Sequence, residues 1–117
     1  MPGAGGRVAA GERGATRIAD RVVAKIAAQA AKEAVDGPPR EGGPPRATVM
    51  VRRDAARVRI SLELAYPTDI GRQCRGVRRR VVERVRALTG MEVPEVAVRA
   101  ERLHPAETGG ASRGRVR

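Results

Sequence analysis

The sequence predicts an α+β fold, a two-layer sandwich with the element order helix-strand-strand-helix-strand. Two segments repeat apolar residues with the period of a helix, and three segments alternate apolar and polar residues as strands do. The second strand has one apolar and one largely polar face, so the three-stranded sheet should be covered on one side only. Each helix has a single apolar stripe, which places both helices on that covered face.

The first helix is predicted to start at Thr16, a suitable N-cap, and to stop at Gly37 and Pro38. Its apolar residues form two adjacent stripes, which are Ile18, Val22, Ile26, Ala30 and Ala34, and Ala19, Val23, Ala27, Ala31 and Val35. Residues 1–14 are rich in Gly and Ala without sustained periodicity and predict a flexible N-terminal arm.

A linker and two strands follow. Residues 37–46 hold four prolines and three glycines, which excludes helix and central strand. Alternation predicts strands over residues 47–52 and 57–66, with residues 53–56 as the hairpin turn. In the second strand the apolar face consists of Val58, Ile60, Leu62, Leu64 and Tyr66.

The second helix is predicted to begin after Pro67, with Thr68 or Asp69 as N-cap, and to stop at Thr89–Gly90. Its apolar positions are Ile70, Cys74, Val77, Val81, Val85 and Leu88. A third strand is expected from about Val93 to Leu103, and the order of strands in the sheet does not follow from the pattern. Residues 15–104 would form one domain, followed by a flexible basic tail over residues 105–117.

Composition excludes several function classes. The 117 residues include one cysteine and one histidine, so there is no internal disulfide and no thiolate cluster for a metal. A serine-protease relay would need His104 with Ser61 or Ser112, the only serines. No apolar run approaches the roughly 20 residues that cross a bilayer. We therefore expect a cytoplasmic protein that is not an enzyme, with no catalytic, cofactor-binding or metal-binding residues and no small-molecule substrate.

Two single residues have mainly structural explanations. Cys74 falls on the apolar side of its helix and is expected to be a small buried hydrophobic residue. His104 stands at the end of the last strand, before Pro105, and is expected to be a structural terminus.

The second helix has a strongly basic face. Between positions 69 and 89 the sequence has seven arginines and only two acidic residues, Asp69 and Glu83. The whole chain has a formal net charge of +11. Four of the seven arginines lie within about 60° of one another, opposite the apolar stripe: Arg72, Arg75, Arg79 and Arg86. This face is either a solvated surface that keeps a small domain soluble or a contact for an acidic partner, anionic lipid head groups or nucleic acid.

Segments in the same order resemble the alkaline-shock / general-stress family of bacterial envelope stress proteins. They are RGATRIADRVVAKIAAQAAKEAVDG (13–37), RVRISLELAY (57–66), VVERVRALTGMEV (81–93) and EVAVRAERLHP (95–105). The resemblance implies a non-enzymatic envelope stress response protein, cytoplasmic and held at the inner face of the membrane by a membrane-anchored partner, with self-association. Its contacts would be the second-helix face and the sheet surface. The linker PPREGGPP and the stretch Val96-Ala97-Val98 depart from the family pattern.

A basic nucleic-acid-associated protein with KH-like topology is the alternative. KH domains clamp the backbone with a GxxG loop between two helices. The matches here, Gly11 to Gly14 and Gly3 to Gly6, precede the first helix, and Tyr66 is the one aromatic residue that could stack on a base. Sequence-specific recognition is therefore not predicted, and non-specific electrostatic binding is.

Overall fold

The fold is the predicted α+β sandwich. The computed structural model describes the backbone of residues 4–37, 39 and 42–105, and side chains within these ranges from residue 19 onward. The elements in chain order are α1 (Ala4–Ala34), β1 (Arg46–Arg52), β2 (Ala55–Tyr66), α2 (Ile70–Thr89) and β3 (Glu92–Pro105). The predicted tail lies outside the described residues except for Pro105, which ends β3.

The strand order, which the pattern left open, is β1-β2-β3. β1 pairs antiparallel with β2, and β2 pairs parallel with β3 across the α2 crossover. The register places Val49, Val58 and Val96 side by side on the covered face. Because β2 is the central strand, its outward side chains lie between side chains of β1 and side chains of β3.

The hairpin between β1 and β2 is tighter than predicted. Only Arg53 and Asp54 lie outside the strands, with φ of 52° and 62°. Positive φ at both central residues is the two-residue turn that matches strand twist. Ala55 and Ala56, predicted as part of the turn, therefore belong to β2.

The predicted start of the first helix is wrong. α1 is helical from Ala4, so Thr16 lies within it and is not its N-cap. No proline interrupts residues 4–37, so nothing blocks the helix, although each of Gly5, Gly6, Gly11 and Gly14 disfavours it by roughly 1 kcal/mol relative to alanine. Residues 4–14, part of the predicted flexible arm, are thus helical, and residues 1–3 lie outside the described residues.

The core is aliphatic and lies between the helices and one sheet face. The apolar side chains of β2 from Val58 to Leu64 are at most 1% exposed. On α1 the buried stripe contains Val23, Ala27 and Ala31, whereas Val22 on the adjacent stripe is 49% exposed. The alanines allow α1 to approach the other elements closely.

The α2 caps agree with the sequence prediction. The Asp69 side chain accepts a hydrogen bond from the Arg72 N–H, and Gly90, with φ of 75°, donates its N–H to the Arg86 carbonyl. Of the predicted apolar stripe, Val77, Val81 and Val85 are fully buried. Ile70 and Leu88, at the two ends of the helix, are substantially exposed.

Side chains from the helices bond to both outer strands of the sheet. Asp20 of α1 accepts a hydrogen bond from the Val51 N–H in β1 at 2.9 Å. Arg78 of α2 donates from Nε to the Val96 carbonyl in β3 at 3.2 Å. Since strand edges pair readily with other strands, these contacts tie both edges to the helical layer.

Candidate functional site

We define the arginine ridge as Arg72, Arg75, Arg79 and Arg86, the four residues predicted as an interaction surface. The structure brings all four together along the exposed side of α2, opposite its buried valines. Arg72 lies 3.9 Å from Asp36, and both of these side chains are largely exposed. The other three make no ion pair with a described residue. The ridge is thus a row of guanidinium groups that face solvent.

The remaining α2 arginines have internal roles. Arg78 is bonded to β3, and Arg80 and Arg84 both bind Glu33 of α1, with nitrogen–oxygen distances of 3.2 and 3.3 Å. Gln29 also donates to Glu33, at 3.1 Å. The basic charge of α2 is therefore divided between structural contacts on its flanks and the ridge.

Glu33 is the acidic residue that joins the two helices. Its hydrogen bond from Gln29, followed by that from Arg80, holds the pKa of its carboxyl below the ordinary 4.5. A lowered folded-state pKa means that the charged carboxylate stabilises the fold above the unfolded pKa. That contribution is lost as the pH falls through the folded value.

Replacing Glu33 with Gln is therefore expected to lower stability modestly at pH 7. The difference from the parent protein should shrink as the pH falls from 4.5 through the lower folded-state pKa, because the Glu33 carboxyl is then protonated and neutral like the glutamine. Urea unfolding at a series of pH values measures it. The matched control is Glu83→Gln on the exposed side of α2, and the same pH profile in both variants would contradict the assignment.

A second polar surface lies on the uncovered side of the sheet. We define the open sheet face by its outward polar and exposed residues: Arg46, Thr48, Met50 and Arg52 of β1, Arg57, Arg59, Ser61 and Glu63 of β2, and Glu95, Ala97, Arg99, Glu101 and Arg102 of β3. It includes a shallow depression of about 990 Å³. Because the ridge points away from the sheet, the two surfaces lie on opposite sides of the sandwich.

His104 has a partner that the sequence did not predict. Its Nε2 lies 2.7 Å from Oε1 of Glu63, and the same oxygen accepts a hydrogen bond from the Gly43 N–H at 3.1 Å. Both hydrogen bonds lower the pKa of the Glu63 carboxyl, and the bond from His104 has the larger effect. The cluster fastens the linker to the sheet, which extends the structural role predicted for His104.

Cys74 and Tyr66 depart from their predicted burial. Cys74 is only partly buried, although burial still raises the pKa of its thiol. Tyr66, expected on the apolar face, is 55% exposed because it lies at the last position of β2, beyond the packed part of the core.

The described residues do not supply a KH-type clamp. The match from Gly11 to Gly14 lies within α1, not in a loop, and α2 runs unbroken from Ile70 to Thr89. Within the described ranges no cluster of three or more potential metal ligands occurs. Neither described helix has the length and hydropathy needed to cross a membrane.

Sequence reasoning missed the neighbours that the sheet brings together. Alternation had placed Arg59, Ser61 and Glu63 on a polar face, but not beside any particular residue of β3. The parallel register sets Ser61 beside Arg99 and places His104 beside Ala65, next to Glu63. No local signal contains this information, because the pairing depends on how α2 returns the chain to the sheet.

Comparison of the chain with protein-family models, with curated proteins and with solved structures finds no match. The family resemblance of the sequence therefore stays a prediction.

Proposed function

We propose that this chain is a non-enzymatic interaction module of the envelope stress type. It binds, through the arginine ridge, an acidic surface of a membrane-anchored protein at the cytoplasmic face of the membrane. The observation that carries the proposal is the exposure of Arg75, Arg79 and Arg86 without an ion pair to any described residue.

The chemistry of the ridge supports a charged partner. Guanidinium groups bind carboxylates and phosphates in bidentate geometry, and a row of them speeds encounter with an acidic surface. The apolar stripe of α2 is buried in the core at Val77, Val81 and Val85. The helix can therefore lie against a membrane surface without inserting. Anionic head groups would add about 1 kcal/mol per arginine near them.

Affinity capture of the full chain from its own cells, with and without detergent, tests the proposal. We compare the parent with Arg75→Glu/Arg79→Glu. The control is Arg21→Glu/Lys25→Glu, which reverses an equally spaced, exposed basic pair on α1 and changes the net charge equally. A membrane-anchored protein should co-purify with the parent and the control, and its yield should fall about tenfold or more with the ridge variant.

Two outcomes would reject the proposal. One is capture of no membrane-anchored protein, with or without detergent. The other is equal loss in the ridge and control variants, which would indicate a response to net charge alone. The alternative, a nucleic-acid-associated protein, is favoured by the charge of +11. This alternative requires that the chain bind nucleic acid with an affinity that falls steeply as the salt concentration rises. The affinity must also fall when the ridge arginines are replaced with glutamate. Negligible affinity for nucleic acid at physiological salt excludes the alternative.

A further inference from the structure

We propose that the open sheet face binds an extended acidic segment of a protein partner, with Arg59 and Arg99 holding its carboxylates. This site is separate from the arginine ridge and goes beyond the function proposed for it. The inference starts from the sheet register. Thr48, Arg59 and Ala97 form one row across the three strands, and Arg46, Ser61 and Arg99 form the next row.

These two rows form a basic depression with a floor of small side chains. From the strand spacing and the rise per residue, the Cα atoms of Arg59 and Arg99 are roughly 8 Å apart on the diagonal. Thr48, Ser61 and Ala97 lie beside them and leave the space of about 990 Å³ open, and Glu95 also lines it. Both arginines are exposed, so their guanidinium groups are available above this floor.

Each acidic residue of the open sheet face already has a basic partner. Glu101 lies 2.8 Å from Arg46, Glu95 lies 3.5 Å from Arg57, and Glu63 is bonded to His104. Arg59 and Arg99 make no ion pair with any residue that the structure describes. The surplus charge of the face is therefore positive, and Arg59 and Arg99 are the arginines without an ion pair that line the depression.

The occupant is not this chain itself. Residues 106–117 contain three arginines and one glutamate, and a second copy has the same net charge of +11. Both would be repelled by a positive centre. Charge complementarity therefore requires an acidic partner.

The face suits a peptide better than a nucleic acid. A phosphate backbone is charged at every nucleotide, and the three glutamates on this face would repel part of it. No aromatic side chain lies on the face to stack a base. In an extended peptide, acidic residues at alternate positions point to the same side about 7 Å apart, which matches the spacing of the two arginines.

The peptide would lie across the face and not along a strand edge. Val51 of β1 and Val96 of β3 already bond to Asp20 and Arg78 from the helices. Arg59 and Arg99 lie on the face and not at an edge, so side-chain ion pairs would provide the affinity.

Fluorescence anisotropy with the full chain tests the site at about 150 mM salt. The probes are a labelled peptide of about ten residues with glutamate at alternate positions, the same peptide with glutamine, and a labelled oligothymidylate of about 15 nucleotides. Arg59→Gln/Arg99→Gln is compared with Arg75→Gln/Arg79→Gln, which removes equal charge from the ridge. Thermal unfolding of each variant verifies that the fold is intact.

We expect the glutamate peptide to bind the parent, and the Arg59/Arg99 variant to bind it about tenfold more weakly. The ridge variant should lose less than about twofold, and the glutamine peptide should bind weakly throughout. Four results would overturn the site: no binding of the glutamate peptide, equal losses in both variants, a larger loss in the ridge variant, or tighter binding of the oligothymidylate that depends on Arg59 and Arg99. The ridge proposal stands or falls separately, because cell capture tests it.

Discussion

Replacing Ile60 with Ala is expected to destabilise the protein by about 2–5 kcal/mol. Ile60 is 1% exposed in the middle of the central strand. With no Phe or Trp in the chain, the core consists of Val, Ala, Leu and Ile, and no large neighbouring ring can fill the cavity. Against a usual total of about 5–15 kcal/mol for a domain, such a loss is severe. Thermal and urea unfolding followed by circular dichroism measure it, and Tm should fall by more than about 10 °C.

Leu88→Ala is the control for this truncation. Leu88 is 64% exposed in the last turn of α2, and alanine favours a helix at least as well as leucine. We expect its stability to stay within about 0.5 kcal/mol of the parent. If the two substitutions cost the same, the sheet face centred on Ile60 is not the core of the domain.

Replacing Ala31 with Leu is expected to destabilise the protein by about 1–3 kcal/mol through overpacking. Ala31 is 0% exposed on the stripe of α1 that faces the core. A leucine there must push α1 outwards or force its neighbours from their preferred rotamers. Helix propensity differs little between the two residues, so the change in unfolding free energy reports packing.

Ala87→Leu provides the matched control, because Ala87 is exposed on α2. Its unfolding free energy should stay close to that of the parent. A stabilising effect of Ala31→Leu would mean that α1 lies further from the core than the structure places it, with space for three more carbon atoms.

The two proposed sites have the same physical basis, which is exposed arginines that no acidic residue of the chain neutralises. In each, the arginines available to a partner are those without an internal acid: Arg75, Arg79 and Arg86 on the ridge, and Arg59 and Arg99 on the sheet. Because the surfaces face opposite ways, one copy of the chain could join two acidic partners.

Much of the fold could be predicted because its signals are local. The alternation from Val58 to Leu64 identifies the inward face of β2, and Asp69 and Gly90 mark the ends of α2 by their capping chemistry. The start of α1 could not be placed in this way, because glycines and alanines before Thr16 are compatible with both a loose arm and a helix.

The candidate site, too, could be predicted only where its signals are local. The ridge follows from helical spacing alone, so Arg72, Arg75, Arg79 and Arg86 could be grouped before any coordinates. That Arg80 and Arg84 are held by Glu33 could not be known, since the contact joins residues 47 and 51 positions apart.

Periodicity and capping thus establish the type and order of the elements and the inner faces of β2 and α2, because each depends on residues a few positions apart. The pairing of strands, the buried stripe of α1 and the pairs of Glu63 with His104 and of Arg46 with Glu101 depend on packing between distant segments. Such contacts form only when the whole chain excludes water from one core. For that reason the charges left without partners, which are the ones able to bind something else, emerge only from the folded arrangement.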